Sequence, residues 1–211
     1  MTDAHCHVPS GGPIRELLIG RDFVGVHPWC AEAAGRGALD EVRARIASEA
    51  SLGVGEIGLD RLHAREIPPR MREVFEQQLE IAAEAGRPVV LHGAKCWGQV
   101  VEACSRHATR IPAFLFHGFS RSDGLLPDII ALNGYISVGP AVLNDHATNY
   151  RELVKKIPLD RLLVETDRTP ENAGACADIF AVAAKTAELR GLSTEEMELA
   201  VDANADRFFR R

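Results

Sequence analysis

Short apolar runs alternate along this chain with longer stretches in which apolar residues recur every three or four positions. The runs at 3–8, 14–19, 23–27, 53–57, 88–92, 113–117, 135–138 and 162–165 predict β-strands. Between them the period changes to that of a helix. Segment 38–51 places Leu39, Val42 and Ile46 on one face, and segment 69–85 does the same with Met71, Phe75, Leu79 and Ala82. Pro68 and Pro69 suit a helix entry, and Gly86 followed by Pro88 ends that helix. Further helices are predicted at 99–107, 122–132, 146–157, 176–190 and 194–208, the last two separated by Gly191. Ser193-Thr194-Glu195-Glu196 reads as the cap of the final one. Alternation of this kind predicts an α/β fold with a parallel sheet, and eight strands predict closure into a TIM-type (β/α) barrel. No internal repeat, low-complexity tract or charged tail interrupts it.

Composition narrows the class. The 211 residues suffice for one sizeable core, so residues 1–211 are read as a single domain. No apolar run approaches the ~18 residues of a membrane span. The N-terminus lacks the basic and then apolar organisation of a secretion signal. The five cysteines, Cys6, Cys30, Cys96, Cys104 and Cys176, are odd in number and form no C-x-x-C pair. They are expected to be reduced thiols in a cytoplasmic protein, with Cys96 and Cys104 buried and inert. A net charge of −6 argues against a broad nucleic-acid-binding surface. A nuclease is still open, because bound divalent cations reverse the potential inside a cleft.

The chemistry sits where the apolar runs stop. Asp3-Ala4-His5-Cys6-His7, Gly25-Val26-His27-Pro28, Gly55-Glu56-Ile57-Gly58-Leu59-Asp60, Val89-Val90-Leu91-His92, Phe114-Leu115-Phe116-His117 and Leu162-Leu163-Val164-Glu165-Thr166-Asp167 each end in His, Glu or Asp. A parallel barrel gathers its C-terminal strand ends at one mouth, so these segments converge on one candidate metal site. Neighbouring strand residues face opposite sides, which puts Asp3, His5 and His7 together with Cys6 opposed. Two imidazoles so spaced can grip one cation, with Asp3 a layer deeper. In the last run Leu163, Glu165 and Asp167 share a face. Asp167 is the better ligand and Glu165 a supporting group behind it.

In this order and spacing the motifs resemble the TatD family of metal-dependent deoxyribonucleases, specifically a short subgroup. The match runs from about Thr2 to Phe208, including Phe75-Glu76-Gln77-Gln78-Leu79 and Asn204-Ala205-Asp206-Arg207-Phe208. The resemblance implies an amidohydrolase-like barrel with two divalent metal ions. His5, His7 and Asp167 would hold the first, His92 and His117 the second, and Glu56 would bridge them. Glu56 and Asp167 would be catalytic, orienting a water and taking its proton. His27 and Lys95 would contact substrate phosphate. Two adjacent cations can activate a shared water and clamp the oxygens of an in-line displacement. Four imidazoles with two carboxylates favour zinc, manganese, iron or cobalt, whereas the family is often treated as magnesium-dependent. The implied activity is a DNase or exonuclease acting on DNA ends or short single-stranded DNA.

Three departures bear on the substrate. Only 19 residues lie between His7 and His27, so the first β/α region is abbreviated. Lys95 stands where the family commonly has arginine, and the chain after Asp167 is short. Loops at a barrel mouth select the substrate, so a small phosphoester or a cyclic amide is an alternative, as is a non-catalytic metal-binding component. Outside the ligand set, His63, His107 and His146 are expected to face solvent, and Asp60 to make a structural hydrogen bond or salt bridge. Arg61, Arg65, Arg70 and Arg72 read as an exposed loop and helix face rather than a phosphate site. Trp29, Trp97 and Phe119 each follow a strand end, where they could stack on a base or pack the barrel rim.

Overall fold

Eight parallel strands, each short and apolar, form the centre of the molecule. A computed structural model describes residues 1–62, 65–120 and 123–209. Strands β3 (Phe23–Val24), β4 (Gly53–Asp60), β5 (Val89–Ala94), β6 (Phe114–Phe116), β7 (Gly134–Val138) and β8 (Leu162–Val164) pair in sequence order. Strands β1 (Thr2–Cys6) and β2 (Arg15–Leu18) pair separately. An isolated bridge from Ile19 to Phe23 joins β2 to β3. On the other side, Asp3 of β1 accepts hydrogen bonds from Thr166 N–H (3.0 Å) and Thr166 Oγ1 (2.6 Å). The Asp167 N–H then donates to the His5 carbonyl at 3.1 Å. These contacts close the cylinder, and the predicted TIM-type barrel is the observed fold.

The strands are buried apart from Arg15 at the start of β2 and the partly exposed His92 and Ala94 of β5, because helices cover one face and the barrel interior the other. Helices α1 (Arg36–Ser48), α2 (Pro69–Ala85), α3 (Trp97–Ser105), α4 (Leu126–Ala131), α5 (Thr148–Lys156), α6 (Ile179–Arg190) and α7 (Thr194–Phe208) follow the strands around it. Helix α2 buries Met71, Val74, Phe75, Leu79 and Ala82, the predicted stripe widened by Val74. It ends at Gly86, whose φ of 60° lets Arg87 N–H reach the Ala82 carbonyl at 2.9 Å. Ser193 and Glu196 make the predicted capping box at the start of α7. Among the described residues no helix is long and apolar enough to cross a membrane.

Several boundaries differ from those predicted, and two of the differences matter for the site. Strand β3 stops at Val24 rather than reaching His27. Beyond it the backbone of Val26 pairs with a side chain: its N–H donates to Gln78 Oε1 (2.6 Å), and Gln78 Nε2 donates to its carbonyl (3.1 Å). A fully buried glutamine on α2 thus carries the segment that presents His27. Strand β4 runs past Ile57 to Asp60, in register with β5. Gly58 permits this. A Cβ there would lie 2.0 Å from the His92 carbonyl oxygen, and its φ is +151°. Helix α6 starts at Ile179 instead of 176 because Asp178 caps the Phe180 N–H (3.0 Å). Ser122, the predicted start of the fourth helix, lies outside the described residues; α4 itself begins at Leu126 after a 3₁₀ turn.

Gly58→Ala should therefore force β4 away from β5 at His92. The expected cost is at least about 3 kcal/mol of stability, read as a lowered Tm in a thermal melt. A melt within error of wild type would contradict the close approach.

Candidate metal centre

Five strand ends gather their polar side chains around a single buried carboxylate on a sixth strand. Glu56, on β4, turns its Oε2 toward His5 Nε2 (3.4 Å) and His7 Nε2 (3.3 Å). Its Oε1 faces His92 Nδ1 (2.8 Å), His117 Nε2 (2.7 Å) and His27 Nε2 (3.4 Å). Asp167 Oδ1 completes the first group, 3.5 Å from His5 Nε2 and 3.6 Å from His7 Nε2. All six predicted metal-ligating residues come together: His5, His7, Glu56, His92, His117 and Asp167. The donor atoms of three sets, His5–His117–Asp167, His5–His7–Glu56 and His27–Glu56–His92, lie within 4.8 Å of one another.

The donor chemistry fits a cation. His5 is wholly buried, and among the described residues neither ring nitrogen has a hydrogen-bond partner; Nε2 only approaches the Glu56 and Asp167 carboxylates, at 3.4 and 3.5 Å. His92 lies between two carboxylates, with Nε2 3.0 Å from Asp60 Oδ2 and Nδ1 2.8 Å from Glu56 Oε1. The tautomer with its proton on Nε2, held by Asp60, would turn an Nδ1 lone pair toward a cation beside Glu56. The acid–base equilibria reflect the same surroundings. Burial resists charge on His5, and so does His117, but Glu56 and Asp167 outweigh them and raise its pKa to about 9. Burial likewise opposes charge on His117, and Glu56 with Glu165 drives its pKa well up. For Glu56 burial again resists ionisation, but His117 and His5 hold it well below the usual carboxylate range.

A supporting layer lies behind these groups. Glu165 accepts from Gly118 N–H (2.8 Å) and from Ser137 Oγ, and its Oε1 is 3.7 Å from His117 Nδ1. This is the supporting position expected of it. Asp60 does more than the structural contact predicted. Besides orienting His92, it accepts from Trp29 Nε1 (2.7 Å) and from the Leu62 N–H (2.6 Å). Asp3 is spent on closing the barrel. The nearby set Asp3–Cys6–Glu16 also lies within 4.8 Å. There burial pushes the Cys6 thiol far up, and its Sγ is directed at the Leu17 carbonyl. It has no thiolate to offer.

The two predicted substrate contacts occupy different places. His27 reaches Glu56, while its Nδ1 accepts the Trp29 N–H at 3.2 Å. Lys95 stands apart, exposed in a hollow of about 800 Å³ that also borders Arg61, His92 and Asp167. A second hollow, about 870 Å³, runs over Tyr150 and Glu165 and meets the first at Gly118, Ser120 and Asp167. Lys95 and Asp167 have φ of 57° and 48°, left-handed values uncommon for residues with side chains, and both lie at this mouth. A separate hollow of about 450 Å³, lined by Arg87, Arg161 and Arg207, lies at the opposite ends of the strands and contains none of the candidate residues.

Other expectations divide. His107 is buried rather than solvent-facing, 3.0 Å from an Arg110 nitrogen and within 3.8 Å of Glu76 and 3.6 Å of Glu80. Its neighbours on α2 supply carboxylates that a local pattern cannot reveal. His146 is exposed as expected, and His63 lies outside the described residues. Cys96 and Cys104 are buried. The arginine cluster separates: Arg70 pairs with Glu73 and the Ala34 carbonyl, and Arg61 turns to the mouth. Trp97 and Phe119 pack together in the rim, whereas Trp29 is exposed.

A family profile described as TatD related DNase matches residues 21–210. The metal-dependent hydrolase YabD of Bacillus subtilis is 29% identical over 206 residues, covering 92% of this chain and 81% of its own length. The 3'-5' ssDNA/RNA exonuclease TatD of Dickeya dadantii is 29% identical over 198 residues, covering 88% of this chain and 75% of its own. Among solved structures, the TatD homologue YJJV of Escherichia coli k12 superposes with a TM-score of 0.81 at 24% identity, over 100% of this chain and 98% of its own. That likeness is one of fold.

Divalent cation should stabilise the folded chain. At a free concentration about 100 times Kd the gain is about 2.7 kcal/mol, read as a rise in Tm that a chelator reverses. Asp167→Ala should shrink the rise. An unchanged rise in that variant would remove Asp167 from the ligand set.

Proposed function

Since this chain belongs to the TatD-related DNase family of metal-dependent hydrolases, we propose that it is a phosphodiesterase removing nucleotides from DNA ends or short single strands. One observation carries the reading: the two oxygens of Glu56 face two different groups of imidazoles. That arrangement supports a carboxylate shared between two cations, of which His5, His7 and Asp167 would hold one and His92 and His117 the other. Imidazole-rich sets suit zinc, manganese, iron or cobalt, and magnesium less well. When bound, the cations supply Lewis acidity and a nucleophilic water at neutral pH.

The chain's own groups do the rest. Glu56 and Asp167 keep the water on the face of the phosphate opposite the leaving oxygen. Asp167, about half exposed at the mouth, accepts its proton. His27 has its Nδ1 engaged by a backbone N–H, which leaves Nε2, 3.4 Å from Glu56 Oε1, as the ring atom that would hydrogen-bond a phosphoryl oxygen beside the cluster. Lys95 and Arg61 line the adjoining hollow and balance the charge of the neighbouring phosphates. The relative from Dickeya dadantii is named for single-stranded DNA and RNA, and the same substrate class is proposed here.

End-labelled oligonucleotides, digested with and without added divalent cation, test this. Wild type should shorten single strands. Glu56→Gln removes a bridge worth several kcal/mol in the transition state, so the rate should fall roughly 10³-fold. Lys95→Ala should raise KM with little change in kcat. Turnover of nitrophenyl phosphoesters or lactams with no shortening of any strand would assign the site to another bond.

A further inference from the structure

Of the aromatic residues at the barrel mouth, one is anchored by hydrogen bonds and still largely exposed. Trp29 is 62% exposed, whereas Trp97 is 5% and Phe119 fully buried. Tryptophan ordinarily buries most of its surface, so an anchored and largely exposed indole beside a polar cleft points to a ligand face. The indole is fixed from two directions. Its backbone lies in the 3₁₀ turn Pro28–Cys30, where His27 Nδ1 accepts its N–H. Its ring nitrogen donates to Asp60 Oδ2 at 2.7 Å. The same carboxylate orients His92 and accepts the N–H of Leu62, whose side chain is 54% exposed. Asp60 therefore couples an apolar surface directly to the candidate metal centre. The Trp29 ring lies 4.9 Å from that of His27 and 6.3 Å from that of His92, edge-on to both.

We infer that Trp29, flanked by Leu62, is a stacking platform for the unpaired nucleobase next to the scissile phosphodiester. The inference rests on the phosphodiesterase reading above and adds the subsite that selects the substrate. A phosphate at the Glu56 cluster leaves its attached nucleotide within reach of the indole, because His27 and His92 touch both. Arg61 and Lys95, bordering the next hollow, match the charge of the backbone that follows. Every base has a π-face, so the platform tolerates sequence. A base kept in a duplex cannot offer that face, so the platform favours single strands.

The chain has two tryptophans and the other is buried, which makes intrinsic fluorescence a direct reporter. The metal-loaded full chain is titrated with a phosphorothioate-linked thymidine tetramer and with an abasic strand of equal length. Stacking predicts saturable quenching by the thymidine strand alone, lost in Trp29→Phe. Steady-state hydrolysis of ordinary and abasic strands gives a second readout. Wild type should prefer the base-bearing strand in KM by roughly 5- to 100-fold. Trp29→Ala should bring the preference toward unity, and Trp29→Phe should restore most of it. Hydrolysis without quenching, or a preference unchanged in Trp29→Ala, would overturn the platform and leave the phosphodiesterase reading standing. Quenching by the thymidine strand with no hydrolysis of either strand would do the reverse.

Discussion

The seam between the first and last strands governs everything at the mouth of this barrel. Asp3 reaches across it to both the backbone and the hydroxyl of Thr166, and the next residue, Asp167, donates its N–H to the His5 carbonyl. Those bonds join residues more than 160 positions apart. They set His5 and His7 beside Asp167 before any ion is considered. Burying Asp3 is unfavourable in itself and raises its pKa to about 6, while the Thr166 bonds pull the other way. A carboxylate is retained there because it satisfies two donors at once, across a seam where no strand ladder forms.

Inside the closed cylinder the dominant force is charge. Glu56, itself buried, sits among imidazoles at the floor of the mouth, and a carboxylate there could not be buried alone at reasonable cost. The barrel supplies the compensation from separate strands, so the centre exists only in the folded chain. Gly58 and Gly93 belong to the same design. The first lets β4 lie against the His92 backbone, and the second leaves room for the Trp97 ring, within 2.2 Å of where its Cβ would be. Small residues beside the ligands are thus demanded by packing as well as by the cation.

Much of this was legible before folding was considered. Period-two alternation paired His5 with His7, and barrel topology carried Glu56, His92, His117 and Asp167 to the same mouth. What escaped depended on partners distant in sequence. Ending β4 at Ile57 concealed that Glu56, Gly58 and Asp60 share one face of a longer strand; the same alternation, carried three residues further, would have found Asp60 beside His92. His107 looked like a surface residue until α2 brought Glu76 and Glu80 to it. Gln78 looked like an ordinary helix position, yet it replaces the strand ladder at Val26. Trp29 and Trp97 were indistinguishable as strand-end aromatics, and only the packing of α3 against the rim separates them.

The two hollows that meet above Asp167 leave the candidate centre open on two sides. A molecule lying in one of them does not by itself close the approach to Asp167 from the other.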